Sequence, residues 1–275
     1  MSGRMTRLAP YAALTALILS LPVTGGAQAG PPDDVVRIEV LPGWRTDAGT
    51  QMAAIRLTLA PGWKTYWRAP GEGGIPPEFD WRGSQNVAGL RMHWPVPEVS
   101  DQGGMRSFVY HDTVVIPVEL TLSSPDQMTV LAGSVDLGVC DEICLPMTLG
   151  FGADLPDAGA RDGAIVAALV DRPLTEAEAG VGVVICSVTP MDQGILVTAR
   201  MTLPSAGGDE AVVIEASDPQ IWVSPTDVVR AGGVLTASAQ MIHVSGAGFA
   251  FDRSAVRFTV LGRDHAVDIT GCTAG

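Results

Sequence analysis

The residues most able to do chemistry in this sequence are two cysteines that lie four positions apart, Cys140 and Cys144. In an extended strand their α-carbons would be about 13 Å apart, whereas a disulfide needs roughly 4.4 to 6.8 Å. A disulfide between them therefore requires the chain to reverse, in a tight hairpin or in a single helical turn. So short a loop stabilises a fold little, and short-loop disulfides tend to be reducible. The spacing favours a redox-active pair; a structural disulfide and a pair of metal ligands are the alternatives.

The other two cysteines, Cys186 and Cys272, are far apart along the chain. A disulfide between them would close a long loop and stabilise the fold by on the order of 4 kcal/mol through the entropy of the unfolded chain. Cys186 lies in an apolar segment, whereas Cys272 shares its alternation face with Asp268 and Thr270, which argues against burial. We predict a structural disulfide here; free buried thiols and a second redox pair are the alternatives.

Two carboxylates, Asp141 and Glu142, lie inside the short cysteine loop. Negative charge beside a thiol raises its pKa and slows its attack. A docked partner that brings its own low-pKa cysteine would offset this effect. We therefore expect slow reaction with small thiols and fast reaction with cognate protein partners.

The N-terminus predicts export from the cytoplasm. Arg4 and Arg7 precede an apolar run over 8–23, and small residues follow at 25–29, so residues 1–29 are predicted to be a signal peptide. An uncleaved membrane anchor is the alternative. No later window is apolar enough to span a bilayer, so we expect no lipid insertion after cleavage. An acidic surface with Lys64 as the only lysine fits the periplasm of a Gram-negative bacterium. The net charge of -13 argues against nucleic-acid binding.

Alternating apolar residues predict the strands that must position the cysteines. Residues 55–59, 114–122 and 131–139 alternate in this way, and the last run leads directly into Cys140. Pro117 interrupts the second run, which predicts a sheet edge or a bulge. Turn-rich strands with no long amphipathic helix between them predict an all-β protein of antiparallel sandwiches.

The patterns predict two such sandwiches. The first spans residues 30–154 and the second spans 179–275. Residues 155–178 are predicted to be a linker with a short helix that Asp157 caps and Pro173 ends.

Four motifs in the first half resemble a known family. They are LAPGWKTYWR at 59–68, GIPPEFDW at 74–81, YHD at 110–112 leading into VIPV, and GVCDEICLP at 138–146. In this order they are similar to the periplasmic N-terminal domain of the thiol:disulfide interchange protein DsbD, in the variant found in the related ScsB proteins. The second half is similar only to the additional β domain of the ScsB type.

The resemblance implies an immunoglobulin-like fold and assigns roles to particular residues. Cys144 would form the mixed disulfide with partners, and Cys140 would resolve it. Tyr66 matches an aromatic residue that flanks the cysteines. Residues 101–106 match a cap loop that shields the pair. This cap has Gly103 and Gly104 where better-known members have bulky aromatics, so shielding would fall to Met105 or Phe108, or be weak. The cap residues we identify are Asp101, Gly103, Gly104, Met105 and Phe108.

The same resemblance implies a thiol:disulfide oxidoreductase that needs no cofactor. It would carry electrons from a membrane protein of the DsbD or CcdA type to periplasmic thioredoxin-like proteins, as in cytochrome c biogenesis. The alternative function is a non-catalytic binding or adaptor module with structural disulfides, connected with copper tolerance. A copper site from Met92, His93 and Met105 is a weaker hypothesis than packing of the histidine ring. His111 is a candidate to tune a cysteine, with a solvated turn as the alternative.

Overall fold

The computed structural model describes residues 35–275, so the predicted signal peptide lies outside the described residues. The chain is nearly all β, and the first half contributes ten strands. They are β1 (Val36–Arg45), β2 (Gln51–Leu59), β3 (Lys64–Gly71), β4 (Glu78–Asp80), β5 (Val87–Met92), β6 (Glu98–Gln102), β7 (Met105–His111), β8 (Thr113–Leu122), β9 (Thr129–Cys140) and β10 (Cys144–Leu155).

These ten strands form two antiparallel sheets that face each other. One has the order β1-β2-β8-β5, and the other has the order β10-β9-β3-β7-β6 with β4 paired to β9. The alternate apolar residues predicted from the sequence point between the sheets. Those buried in this core include Ile55, Leu57, Leu59, Val114, Ile116, Val118, Leu120, Leu131, Val135, Leu137 and Val139. Removing each large aliphatic side chain from water contributes about 1.5 to 3 kcal/mol, which is why the alternation fixes the register.

The prediction that Pro117 marks a sheet edge or a bulge is wrong. Its strand β8 lies between β2 and β5, and Pro117 pairs with Ala54 of β2. The ladder to β5 ends beside it, where Met92 pairs with Val118. The missing N–H of proline is therefore tolerated because the neighbouring strand stops at that point.

The second half contributes ten further strands in two more sheets. They are β11 (Leu174–Thr175), β12 (Val184–Pro190), β13 (Ile195–Thr202), β14 (Ala211–Glu215), β15 (Ile221–Val223), β16 (Asp227–Ala231), β17 (Val234–His243), β18 (Arg257–Leu261), β19 (Ala266–Thr270) and β20 (Thr273–Ala274). Their orders are β11-β19-β18-β14 and β15-β17-β13-β12-β20, with β16 paired to β17. All pairings are antiparallel except those of the short strands β11 and β20. The prediction of an all-β protein built from two antiparallel sandwiches is confirmed.

The predicted helix is present as α1 (Gly163–Val170), but its cap differs from the prediction. Asp162, not Asp157, is the N-cap, and its carboxylate accepts hydrogen bonds from the amides of Ala164 and Ile165. Ile165 is buried against Leu41, Trp44, Met52 and Ala54 on the outer face of the β1-β2-β8-β5 sheet. The helix is therefore packed on the first sandwich. The domain boundaries at 154 and 179 stay a prediction.

The two sandwiches also contact each other directly. Ala211, Val213, Leu261 and Ala266 of the second sandwich belong to the same buried cluster as the first core. The Arg68 guanidinium donates to the Glu215 carboxylate at 3.0 and 2.9 Å and to the Thr259 hydroxyl at 3.1 Å. Among residues 35–275, no helix is long and apolar enough to cross a membrane.

Candidate functional site

The β9–β10 hairpin brings the two close cysteines together. Cys140 ends β9 and Cys144 begins β10, and the two residues lie directly opposite each other in the ladder. Their α-carbons are 4.1 Å apart and the disulfide is formed. Three residues make the turn, which the Asp141 amide closes by donating to the Ile143 carbonyl at 3.2 Å. Of the two reversals that the spacing allows, the chain uses the hairpin.

The two sulfur-bearing residues differ sharply in exposure. Cys140 is only 1% exposed, whereas Cys144 lies at the surface. Beside Cys144, the Ile143 side chain is 65% exposed, and Asp141 and Glu142 are exposed as well. An incoming protein therefore meets Cys144 first, together with an apolar side chain and two carboxylates.

Tyr66 is the residue that contacts both sulfur atoms. It lies on β3, and its hydroxyl donates to Cys140 Sγ at 3.2 Å and lies 3.5 Å from Cys144 Sγ. Tyr66, Val109 and Cys140 form a small buried cluster on the outer face of the sheet. Burial raises the pKa of Tyr66, so its hydroxyl keeps its proton at neutral pH and remains a donor.

A short glycine- and proline-rich segment, residues 72–77, covers this cluster. An added Cβ at Gly74 would lie 2.5 Å from the Tyr66 ring, so only a glycine allows the segment to approach so closely. Ile75 lies against Gly138, and the Gly73 carbonyl is 3.5 Å from the Tyr66 hydroxyl. The sequence interpretation missed this cover, although the pair of glycines within GEGGIPP was a visible signal of close backbone approach.

The predicted cap is the β6–β7 hairpin, whose turn is formed by Gly103 and Gly104. Both glycines have positive φ, 61° and 82°. At the base of the turn Asp101 pairs with Arg106 at 3.0 Å, and the Arg106 amide donates to Glu72 at 2.9 Å. The hairpin is thereby tied to the covering segment 72–77.

The two side chains expected to shield the cysteines are placed very differently. Met105 is 51% exposed and lies beside Gly73 of the covering segment. Phe108 is 6% exposed and points into the core, where it packs edge-on against Trp67 with ring centroids 6.1 Å apart. The expectation that Phe108 shields the cysteines is therefore wrong, because alternation puts it on the opposite face of β7 from Val109.

One buried residue beside the disulfide was not identified as functional from the sequence. Lys64 begins β3 and pairs with Cys140 on one side and with His111 on the other. Its ammonium group donates to Gln102 Oε1 of the cap hairpin at 2.7 Å. His111 Nδ1 in turn lies 3.3 Å from Glu98.

The hypothetical copper ligands do not cluster: His93 Nε2 lies 3.1 Å from Glu119 on the other sheet.

The second predicted disulfide, between Cys186 and Cys272, is formed. Cys186 on β12 is bonded to Cys272, with α-carbons 5.7 Å apart and a sequence separation of 86. Cys186 is fully buried, and its carbonyl accepts a hydrogen bond from Gly275 at 3.2 Å. This bond joins β12 to the short segment between β19 and β20.

A groove of about 810 Å³ adjoins the cap hairpin, between the two sandwiches. Its lining includes Arg68 and Arg106, whose charges are paired with Glu215 and Asp101. Trp222 also lines it and is 51% exposed. The groove thus offers apolar surface and paired charges beside the cap hairpin.

Comparison with known proteins agrees with this geometry. Residues 28–150 match the family described as thiol:disulfide interchange protein DsbD, N-terminal. These residues are therefore a domain of the DsbD N-terminal type, whose role is related to thiol–disulfide exchange. No curated protein matches the chain.

Among solved structures, the N-terminal periplasmic domain of ScsB from Proteus mirabilis has a similar fold. It has a TM-score of 0.64 and 23% identity, covering 89% of this chain and 96% of that one. The likeness extends over both sandwiches and supports the immunoglobulin-like architecture. The N-terminal domain of DsbD from Neisseria meningitidis, in its reduced form, gives a TM-score of 0.30 and 15% identity, covering 48% of this chain and 92% of that one.

Proposed function

We propose that this protein is a periplasmic thiol:disulfide exchange protein that works through Cys140 and Cys144. It carries electrons from a membrane electron-transfer protein of the DsbD or CcdA type to thioredoxin-like partners. The observation that carries the proposal is the asymmetry of the pair, in which an exposed Cys144 is bonded to a buried Cys140 next to a hydroxyl donor. The family match over residues 28–150 supports it independently.

The oxidised protein is reduced in two exchange steps. A thiolate of the membrane donor attacks Cys144 Sγ, the Cys140–Cys144 bond breaks, and its electron pair moves to Cys140 Sγ. The donor's second thiolate then attacks the donor sulfur of the mixed disulfide, so that the donor is oxidised to its own disulfide and Cys144 leaves as a thiolate. The Tyr66 hydroxyl stabilises the first leaving group, because it already donates to Cys140 Sγ.

Electron delivery runs through the same atoms in the opposite sense. The Cys144 thiolate attacks the disulfide of an oxidised thioredoxin-like partner and forms a mixed disulfide. Cys140 then attacks Cys144, the internal disulfide re-forms, and the partner leaves with both cysteines reduced. One cycle transfers two electrons, and the burial of Cys140 keeps it from small oxidants.

The exposed tip of the hairpin favours particular partners. The carboxylates of Asp141 and Glu142 disfavour a thiolate at Cys144 in the free protein. A partner with a cationic rim around its own cysteine would neutralise them on docking, and Ile143 would contact its apolar surface. This arrangement supports slow reaction with glutathione and fast reaction with a cognate partner.

The reduction potential of Cys140–Cys144 tests the proposal. We expect a value in the range of thioredoxin-like proteins, roughly -270 to -180 mV, whereas a structural disulfide lies below about -300 mV. The Cys186–Cys272 bond in the same molecule is the internal control and should stay oxidised across that range. A potential for Cys140–Cys144 below about -300 mV would contradict the proposal.

That contrary result would favour the second candidate, a non-catalytic binding or adaptor module. The groove between the sandwiches, with its exposed Trp222, is the feature that supports this alternative. Such a module would keep both disulfides oxidised in the presence of reduced thioredoxin-like proteins.

A further inference from the structure

Lys64 is an unusual residue in this chain. It is the only lysine in the whole sequence, and it is 8% exposed although lysines are rarely buried. Burying an ammonium group is costly unless charged or hydrogen-bonding groups compensate it. A lysine kept in such a position calls for a specific partner.

The lysine belongs to a row of side chains that crosses four strands. His111 on β7 pairs with Lys64 on β3, Lys64 pairs with Cys140 on β9, and Cys140 pairs with Cys144 on β10. Residues directly opposite each other in neighbouring strands point to the same face, with β-carbons about 4.5 to 5.5 Å apart. The Lys64 side chain therefore starts next to that of Cys140, on the face that carries the disulfide.

The charge of Lys64 is not neutralised by a carboxylate. Its only hydrogen-bond partner within residues 35–275 is the neutral amide oxygen of Gln102, at 2.7 Å. No carboxylate in that part of the chain lies within ion-pair distance of it, and the Glu98 carboxylate on the neighbouring β6 pairs with His111 instead. An ammonium group has three N–H donors, so two remain for another acceptor.

We propose that Lys64 is a positioning residue that stabilises the Cys140 thiolate. The proposal rests on the exchange function proposed above. When a partner thiolate attacks Cys144 Sγ, a sulfur–sulfur bond forms, the Cys140–Cys144 bond breaks, and the electron pair becomes negative charge on Cys140. That charge appears in a buried site, where it is costly unless a cation lies close by. Lys64 supplies this cation while keeping its hydrogen bond to the cap hairpin.

The other titratable groups on this face do not supply a fixed positive charge. Tyr66 is neutral at ordinary pH and contributes only its hydroxyl donor. His111 faces the Glu98 carboxylate, which offsets its charge when it is protonated. Asp141 and Glu142 in the turn carry the opposite sign. Lys64 is therefore the group that tips the local field towards a thiolate at Cys140.

The test is a direct titration of Cys140. A Cys144→Ala background leaves Cys140 as the free thiol, because Cys186 and Cys272 are bonded to each other. Thiolate absorbance is followed against pH with Lys64 unchanged and in the neutral variants Lys64→Met and Lys64→Gln. We expect both to raise the pKa of Cys140 by about one unit or more, because the positive charge on the residue paired with Cys140 across the ladder is lost.

Two controls separate charge from packing. Lys64→Arg keeps the positive charge and should therefore keep the pKa of Cys140 within roughly half a unit of its starting value. Gln102→Leu removes the acceptor but not the charge and should not raise that pKa. The use of two neutral variants allows the comparison even where one of them folds poorly, which circular dichroism reports.

An unchanged pKa of Cys140 in folded Lys64→Met or Lys64→Gln would overturn the inference. A rise in Lys64→Arg as large as in Lys64→Met would also overturn it, since packing would then be the cause. Exchange with a thioredoxin-like protein is measured on the wild-type chain in parallel. If the wild type exchanges and the pKa does not respond, only the role of Lys64 fails; if the wild type does not exchange, the proposed function itself fails.

Discussion

Replacing Tyr66 with phenylalanine removes a single oxygen atom from the candidate site and leaves its shape unchanged. In the oxidised protein that hydroxyl donates to Cys140 Sγ at 3.2 Å, and its other contacts, to Cys144 Sγ and the Gly73 carbonyl, are both 3.5 Å long. A hydrogen bond to a charged acceptor contributes about 1.5 to 3 kcal/mol, and 1.36 kcal/mol corresponds to about one pKa unit. Tyr66→Phe should therefore raise the pKa of the Cys140 thiol by roughly one to two units.

The assay is a titration of Cys140 thiolate absorbance in a Cys144→Ala background, with and without Tyr66→Phe. The matched control titrates Cys144 in a Cys140→Ser background, where the longer contact and solvent exposure should make the shift smaller. The oxidised Tyr66→Phe variant should lose less than about 1 kcal/mol of unfolding free energy, since removing the hydroxyl leaves no buried polar group without a partner. A pKa of Cys140 that stays constant or falls in Tyr66→Phe would refute the reasoning.

Three further predictions concern the cover, the disulfides and the segment between the sandwiches. Gly74→Ala places a methyl group 2.5 Å from the Tyr66 ring, so it should lower the free energy of unfolding by about 1 to 3 kcal/mol and speed reduction of the disulfide by glutathione. The control Gly73→Ala, whose added methyl has its nearest neighbour 3.7 Å away, should have neither effect. Equal rates of reduction for the two variants in stopped-flow measurements would contradict this. Replacing Cys186 and Cys272 by serine should lower the free energy of unfolding in urea by about 4.5 kcal/mol, whereas the same replacement of Cys140 and Cys144 should lower it by about 2 kcal/mol. A larger loss for the Cys140–Cys144 pair would contradict this prediction. Hydrogen bonds, of which the one from Arg172 has the largest effect, hold the pKa of Glu178 at about 2, so the stability that Glu178 contributes is present above pH 4.5 and is lost as the pH falls towards 2. Glu178→Gln should therefore flatten the acid side of a plot of unfolding free energy against pH. An unchanged plot would exclude this role.

Local patterns were sufficient to predict most of the fold. The period-two alternation that leads into Cys140 continues in the structure, because inward-facing residues such as Leu137 and Val139 fill the core. The N-cap of the helix could not be chosen from the pattern, because Asp157 and Asp162 are both suitable capping residues. The packing of Ile165 on the first sandwich decides between them, and that contact is tertiary.

For the candidate site, the sequence predicted a chain reversal between the cysteines, as a hairpin or a helical turn, but not its surroundings. Spacing required a reversal between Cys140 and Cys144, and the resemblance pointed to Tyr66. Phe108 is close in sequence to the cap turn, which favoured a shielding role, but the alternation of side chains along β7 places it in the core against Trp67. The position of Lys64 depends on which strands flank β3, and strand order is not encoded in any local pattern.

Trapping of a mixed disulfide tests the central claim most directly. Each periplasmic thioredoxin-like protein of the same organism is prepared with one active-site cysteine, activated as a mixed disulfide with thionitrobenzoate. The Cys140→Ser variant, which keeps the exposed Cys144, is expected to release thionitrobenzoate and form a covalent adduct with at least one of them. The Cys144→Ser variant keeps only the buried Cys140 and should react far more slowly. Equal adduct formation by both variants, or none by Cys140→Ser, would contradict the account.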